Sequence, residues 1–210
     1  MDLHISDASS LAIIDRQLDN ERLSPAEYEI VRQIIYNTAD FDYASLVHFT
    51  PDALSKGAAA LAARSSIIVD VPAIQVSIVP QLQKTFCNPV YCCATTVTRP
   101  QKRKTKAAWG LETLAKTHKD SIYVIGQDQT SLATLAELTE RKAIKPALVI
   151  VTAPIFIEQD MKQWLKDSSL PSIYLNNGKG NATVGATIVN TLITLAWQTY
   201  QLNQDISQSQ

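Results

Sequence analysis

Arg99, Lys102, Arg103, Lys104 and Lys106 place five cations within eight residues. A run of that density draws a polyanion to whatever cleft it borders, even in a protein whose charges otherwise cancel. A solvated loop accounts for it equally well. However, the run leads into a helix start, where positive charge opposes the helix dipole and calls for some other reason to be there. Two turns can also present backbone N–H groups to an anion. Gly126-Gln127-Asp128-Gln129-Thr130 follows an apolar run and opens a helix, and Asn176-Asn177-Gly178-Lys179-Gly180-Asn181 precedes another. Each is also readable as a plain strand-to-helix turn. Neither GxGxxG nor GxxxxGK[ST] occurs, which argues against a nucleotide site.

Other chemistry is sparsely represented. His4, His48 and His118 are far apart, and none has a second His or Cys two or four residues away, so they read as structural or surface groups. Cys87, Cys92 and Cys93 are odd in number and include no CxxC, and are expected to be reduced strand residues. No serine elbow or zinc motif is present, and no metal is expected.

The elements that must position these groups alternate in type. Short apolar runs rich in β-branched residues occur at Ser66–Val71, Pro89–Ala94, Ser121–Ile125, Ala147–Val151 and Ser172–Leu175. Longer, alanine-rich segments of helical period separate them, which is the βαβ pattern of a parallel sheet. Because the runs are continuous rather than alternating, helices should cover both faces. Ser24-Pro25-Ala26-Glu27 forms a capping box with proline at the first helical position, and Thr50-Pro51-Asp52 opens a second helix. Further helices are predicted over about Lys104–Lys116, Thr130–Arg141, Phe156–Lys166 and Ala182–Tyr200. Ligands of open α/β sheets bind at the carboxyl ends of the strands, where the cationic run and both turns fall.

The 210 residues carry 46% hydrophobic and 19% charged side chains with a net charge of -1, enough apolar material for one sizeable core and no bulk charge to suggest a nucleic-acid partner. The first residues lack the basic start and apolar stretch of a secretion signal, and no apolar run reaches the length of a membrane span, so a soluble cytoplasmic protein is expected. The chain reads as one α/β domain over residues 1–202, with a polar tail at 203–210.

Taken together, the landmarks resemble the precorrin-8X methylmutase family of cobalamin biosynthesis, from Ser6 to about Trp197. The matching pieces are Ser10-Leu11-Ala12-Ile13-Ile14-Asp15, Tyr36-Asn37-Thr38-Ala39-Asp40-Phe41-Asp42-Tyr43, Ile68-Val69-Asp70 before a short helix, Lys104-Thr105-Lys106-Ala107-Ala108, Val124-Ile125-Gly126-Gln127 with Thr130, and Asn177-Gly178-Lys179-Gly180 before a helix carrying Asn190. Their order and spacing carry the resemblance.

The resemblance implies a homodimer with a Rossmann-like sheet that moves a methyl group from C-11 to C-12 of a corrin ring without an added cofactor. The carboxylates on the rim of that substrate would give the cationic run and the two turns a purpose. By the same resemblance Ser10, Lys106, Gly126, Gln127 and Gly180 contact substrate. Tyr36 stands where the family has the histidine that passes a proton to and from the ring, and His48, twelve residues on, is the other candidate for that role. Lys106 replaces an arginine, keeping the charge and losing the two-pronged grip on a carboxylate. Ile155 replaces a glycine, Gly180-Asn181-Ala182 replaces Gly-Gly-Ser, and Gln75 to Pro80 departs from the family's residues. These departures leave two expectations: a methylmutase with altered acid-base chemistry, or a corrinoid-binding protein without turnover.

Overall fold

A computed structural model describes residues 5–18, 22–98, 103–154, 164–176 and 178–208. Six strands form one sheet: β1 (Val47–Phe49), β2 (Ile67–Val69), β3 (Val90–Cys92), β4 (Ile122–Ile125), β5 (Leu148–Val151) and β6 (Ser172–Leu175), in the order β1-β6-β5-β4-β2-β3. All neighbours are parallel except β1, which pairs antiparallel with β6. The expected parallel sheet therefore carries one antiparallel edge strand. Its three residues are too few to show a period in the sequence.

Helices cover both faces, as the continuous apolar strands require. On one side Ile67, Val69, Val124, Ile150 and Ile173 pack under α1 (Ile5–Gln17), α2 (Pro25–Thr38), α4 (Ala53–Ala62), α5 (Pro72–Gln83) and α8 (Ala182–Gln208). On the other, Ile68, Tyr123, Ile125, Val149 and Tyr174 pack under α6 (Lys106–Ala115) and α7 (Gln129–Glu140). The short α3 (Tyr43–Leu46) leads from α2 into β1. The last helix runs on to Gln208, through most of the polar tail. Of the predicted helix at 156–166, residues 164–167 are helical and 155–163, with Ile155, lie outside the described residues.

The cysteines depart from expectation in part. All three are free, but only Cys92 lies in a strand; Cys93 opens a 3-10 turn, and Cys87 sits in the exposed loop before β3 with a φ of +59°.

The capping box forms as its residue types demand. Ser24 N donates to Glu27 Oε2 at 2.8 Å and Glu27 N to Ser24 Oγ at 3.4 Å, while Ile30, Val31, Ile34 and Ile35 bury one stripe. The opposite side of α2 is fixed to α1 by charge. Arg32 grips Asp15 through Nε at 2.6 Å and Nη2 at 2.8 Å, and Tyr28 Oη donates to Asp15 Oδ1 at 2.7 Å. Hydrogen bonding from Arg32, with help from Tyr28, holds the Asp15 carboxyl below its ordinary range against the opposing effect of burial. This lock sets the register of α1 on α2 and so bears on what faces Tyr36, about one turn beyond Arg32 along α2.

Candidate active site

The strand order reverses between β2 and β4, so the crevice of the sheet opens where Asp70 follows β2 and Gly126 follows β4. A carboxylate of the protein itself fills that position. Asp70, fully buried, accepts from Gly126 N at 3.0 Å, Gln127 N at 2.7 Å and Asp128 N at 2.8 Å. Burial raises its carboxyl above the ordinary aspartate range while the three N–H groups work the other way. All its partners are donors, the set that suits a carboxylate rather than a carboxylic acid. The N–H groups expected to meet a ligand at this turn are thus engaged internally.

Packing explains the glycine at 126. A Cβ there would lie 2.5 Å from Ile74 Cδ1 and 3.0 Å from Ala182 Cα, so Gly126 lets the turn approach the start of α8. Gln127, next in the chain, is exposed.

The turn before α8 is organised the same way. Gly180 has a φ of +141°, a conformation that favours glycine, and a Cβ there would lie 2.4 Å from Thr152 O. Asn181 Oδ1 accepts from Thr183 N at 2.8 Å and Val184 N at 3.1 Å, so these helix-start donors are capped locally. Lys179 bonds both Asp40, at 2.9 Å, and Asp42, which raises its ammonium pKa and ties the turn to the segment after α2.

The cationic run divides. Residues 99–102 lie outside the described residues, and Lys106 is exposed in the first turn of α6. Lys104 pairs with Glu112 at 2.5 Å and Glu137 at 3.5 Å. Burial lowers its pKa, but the two glutamates outweigh that and leave it above the ordinary lysine value. Those glutamates are the reason a cation sits here against the helix dipole. Thr105 caps α6 and donates to Asp128 Oδ2 at 2.7 Å, which brings Lys106 beside the Gly126–Asp128 turn.

Tyr36 and Ser10 form a second group at the paired ends of α2 and α1. Ser10 is exposed and donates to Ser6 O at 2.9 Å, leaving its oxygen able to accept. Tyr36 is 37% exposed, and its Oη donates to Asp7 Oδ1 at 2.9 Å. That hydrogen bond raises the phenol above its ordinary value, so Tyr36 is neutral at neutral pH. Asp7 was missed from sequence, although its spacing of three residues from Ser10 puts both on one helix face. Next to Tyr36, Asn37 Nδ2 donates to Thr187 Oγ1 on α8 at 3.0 Å. From there a groove of about 960 Å³ runs between α2, α5 and α8, lined by Asn37, Thr183, Thr187, Asn190 and Gln81 among others.

His48 lies elsewhere. It is opposite Tyr174 in the β1–β6 register and stacks on that ring with centroids 5.5 Å apart, on the sheet face covered by α6 and α7. Tyr36 rides on α2, which packs on the other face. The sheet separates the two, and His48 is not part of the Tyr36 site. Burial first, and Lys166 second, lower its imidazole pKa, and Asn176 Nδ2 donates to its Nε2. The folded protein therefore holds fewer protons here than the unfolded chain. Stability is expected to decline as the pH falls below about 6.5, the ordinary imidazole value. Urea titrations at pH 7.5 and 5.5 should show this loss reduced in His48→Phe, and an unchanged loss assigns it to other groups.

The family model described as precorrin-8X methylmutase (CbiC) matches residues 5–195. The chain belongs to the precorrin-8X methylmutase family. It is 34% identical to the cobalt-precorrin-8 methylmutase of Synechocystis sp. over 90% of this chain and 94% of that protein. It is 30% identical to the cobalt-precorrin-8 methylmutase of Leptospira interrogans over 89% and 91%. The precorrin-8X methyl mutase structure from Thermus thermophilus aligns with a TM-score of 0.81 at 28% identity, covering 92% of this chain and 98% of that one. Among the described residues no three His, Cys, Asp or Glu side chains group as a metal site, and no helix is long and apolar enough to cross a membrane.

Within this methylmutase fold the two groups of residues meet through α8. Its first turn packs on Gly126, its preceding turn is bound to the end of α2, and Thr187 bonds Asn37. One end of α8 thus organises both the Tyr36 side and the Lys106 side of the carboxyl edge.

Proposed function

We propose that this methylmutase is the isomerase its family membership indicates, moving a methyl group from C-11 to C-12 of a precorrin-8 ring in cobalamin biosynthesis. The observation that carries the reading is the family match over residues 5–195, supported by relatives aligned over nine-tenths of their own lengths. Both relatives cited bear the cobalt-precorrin-8 name, which favours the cobalt-loaded ring as substrate. The rearrangement is internal to the ring and needs no added cofactor; the protein's part is to orient the ring and manage a proton.

The substrate site consists of Tyr36 with Ser10 on one side and Lys106, Gln127 and Gly180 on the other. Gly126 takes a supporting role, since its N–H serves Asp70. Exposed Lys106 and Arg103 remain to attract rim carboxylates, while Lys104 is spent on glutamates. On the same family reading the protein is a homodimer in the cytoplasm.

Absorbance assays with cobalt-loaded and metal-free precorrin-8 test the reading, because methyl migration changes ring conjugation. Conversion of either ring supports it. Binding of the ring without conversion replaces it with the carrier reading. Tyr36→Phe is expected to lower kcat about 100-fold at unchanged stability, the usual size of a lost proton-transfer group. Full turnover by that variant removes Tyr36 from the chemistry.

A further inference from the structure

An isomerisation consumes no net proton, so any proton the ring gives up must be held nearby and returned. Tyr36 is poorly suited to hold the charge change alone. A neutral phenol becomes an anion when it gives up a proton, and here that anion would face the Asp7 carboxylate. The hydrogen bond between them solves the difficulty. Resting on the methylmutase reading, we propose that Asp7 and Tyr36 form a two-residue proton relay, in which Asp7 changes its protonation state and Tyr36 conducts without ever becoming charged.

The step balances atom by atom. A ring position that carries a proton, a nitrogen in the metal-free ring or a carbon in the cobalt-loaded one, breaks its bond to that proton and passes it to Tyr36 Oη, forming a new O–H bond. As it does so the original phenol O–H bond breaks and that proton forms an O–H bond on Asp7 Oδ1. The ring loses one positive charge, the carboxylate loses one negative charge, and the phenol is neutral before and after. The reverse step returns the proton after migration.

The geometry supports the relay in three respects. The Oη–Oδ1 separation of 2.9 Å is within hydrogen-bond reach, and the phenol is the donor, as the first step requires. Asp7 lies in the first turn of α1, one helical turn from Ser10, so the relay opens toward the substrate side of that helix. Finally, the register that joins Asp7 to Tyr36 is held by the separate Asp15–Arg32 lock. Among the described residues, Asp15 and Glu29 on the α1–α2 seam pair with Arg32 rather than with Asp7 or Tyr36, and Ser6 Oγ also donates to Asp7 Oδ1 at 3.5 Å. Asp7 acts through Tyr36 and is a positioning and proton-holding residue rather than one in contact with the ring.

Kinetics of four proteins test the proposal: wild type, Asp7→Asn, Tyr36→Phe and the double variant, each followed by ring absorbance from pH 4 to pH 9. Both single variants should lose about 100-fold in kcat with KM little changed, and the double variant should lose no more than either alone, because the two residues act as one unit. Asp7→Glu should recover part of the rate. Wild-type kcat in Asp7→Asn, or additive losses in the double variant, overturns the relay while leaving the methylmutase reading intact. Absence of turnover by the wild type with either ring overturns the methylmutase reading and the relay with it. Phenol titration by ultraviolet difference absorbance adds a readout independent of turnover: the Tyr36 signal should move to lower pH in Asp7→Asn, and an unmoved signal also counts against the pair.

Discussion

Replacing Asp70 with alanine is expected to cost the fold about 3–5 kcal/mol, the usual loss when one side of a buried, charged hydrogen-bond set is removed. The substitution strands the N–H groups of Gly126, Gln127 and Asp128 at the end of β4, two of them in part-buried contacts and the first in a buried one. Asp70→Asn should cost less, since one oxygen still accepts, but its amide must then point a donor at donors. Urea unfolding measures both, and the alanine variant should melt roughly 10 °C lower at a typical conversion for a chain of this size. An alanine variant as stable as the wild type means the turn has rearranged to find other acceptors. The same substitution tests the account of the site, because the turn anchored by Asp70 also carries Gln127 and Asp128.

Gly110→Ala is expected to be comparably damaging, for a steric reason. A Cβ at this position would lie 1.9 Å from Cys93 O, 2.6 Å from Cys93 C and 2.8 Å from Cys93 Cα. All three are backbone atoms, so no rotamer change relieves the overlap; α6 must move off the 3-10 turn by more than about an ångström to restore van der Waals separation. Overpacking of this kind costs about 3 kcal/mol, well above the roughly 1 kcal/mol that alanine returns through helix propensity. Because Lys106 stands at the start of α6 and Thr105 bonds Asp128, the displacement should weaken ring binding as well as stability. Calorimetry and an absorbance titration with the ring read the two effects separately. Unchanged melting would show that α6 is not held at this distance.

Much of the scaffold was legible because its causes are local. The Ser24–Glu27 capping box with Pro25 and the continuous apolar strands each act within a few residues and appear close to their expected places, while Pro51 falls in the turn ahead of α4, which starts at Ala53. β6 falls on Ser172–Leu175 as read. β1 was not legible: Val47-His48-Phe49 has no pattern of its own and becomes a strand only by pairing with β6, more than a hundred residues later. The fate of the basic run was legible only as charge. Which lysine faces solvent and which is paired depends on Glu112 and Glu137, brought in by the packing of α6 and α7.

By itself the sequence determined the α/β class, the helices covering both faces, the family resemblance and the position of Tyr36, since each depends on residue type and spacing along the chain. Tertiary structure decided what those residues can do. It placed Asp70 against a turn 56 residues away, so that the N–H groups at Gly126 hold the protein together rather than awaiting a ligand. It put His48 and Tyr36 on opposite faces of the sheet, and it brought Asp7 across 29 residues to the Tyr36 hydroxyl. Donor and acceptor capacity is written in the sequence, but which partner satisfies it depends on distances of about 3 Å that only packing sets.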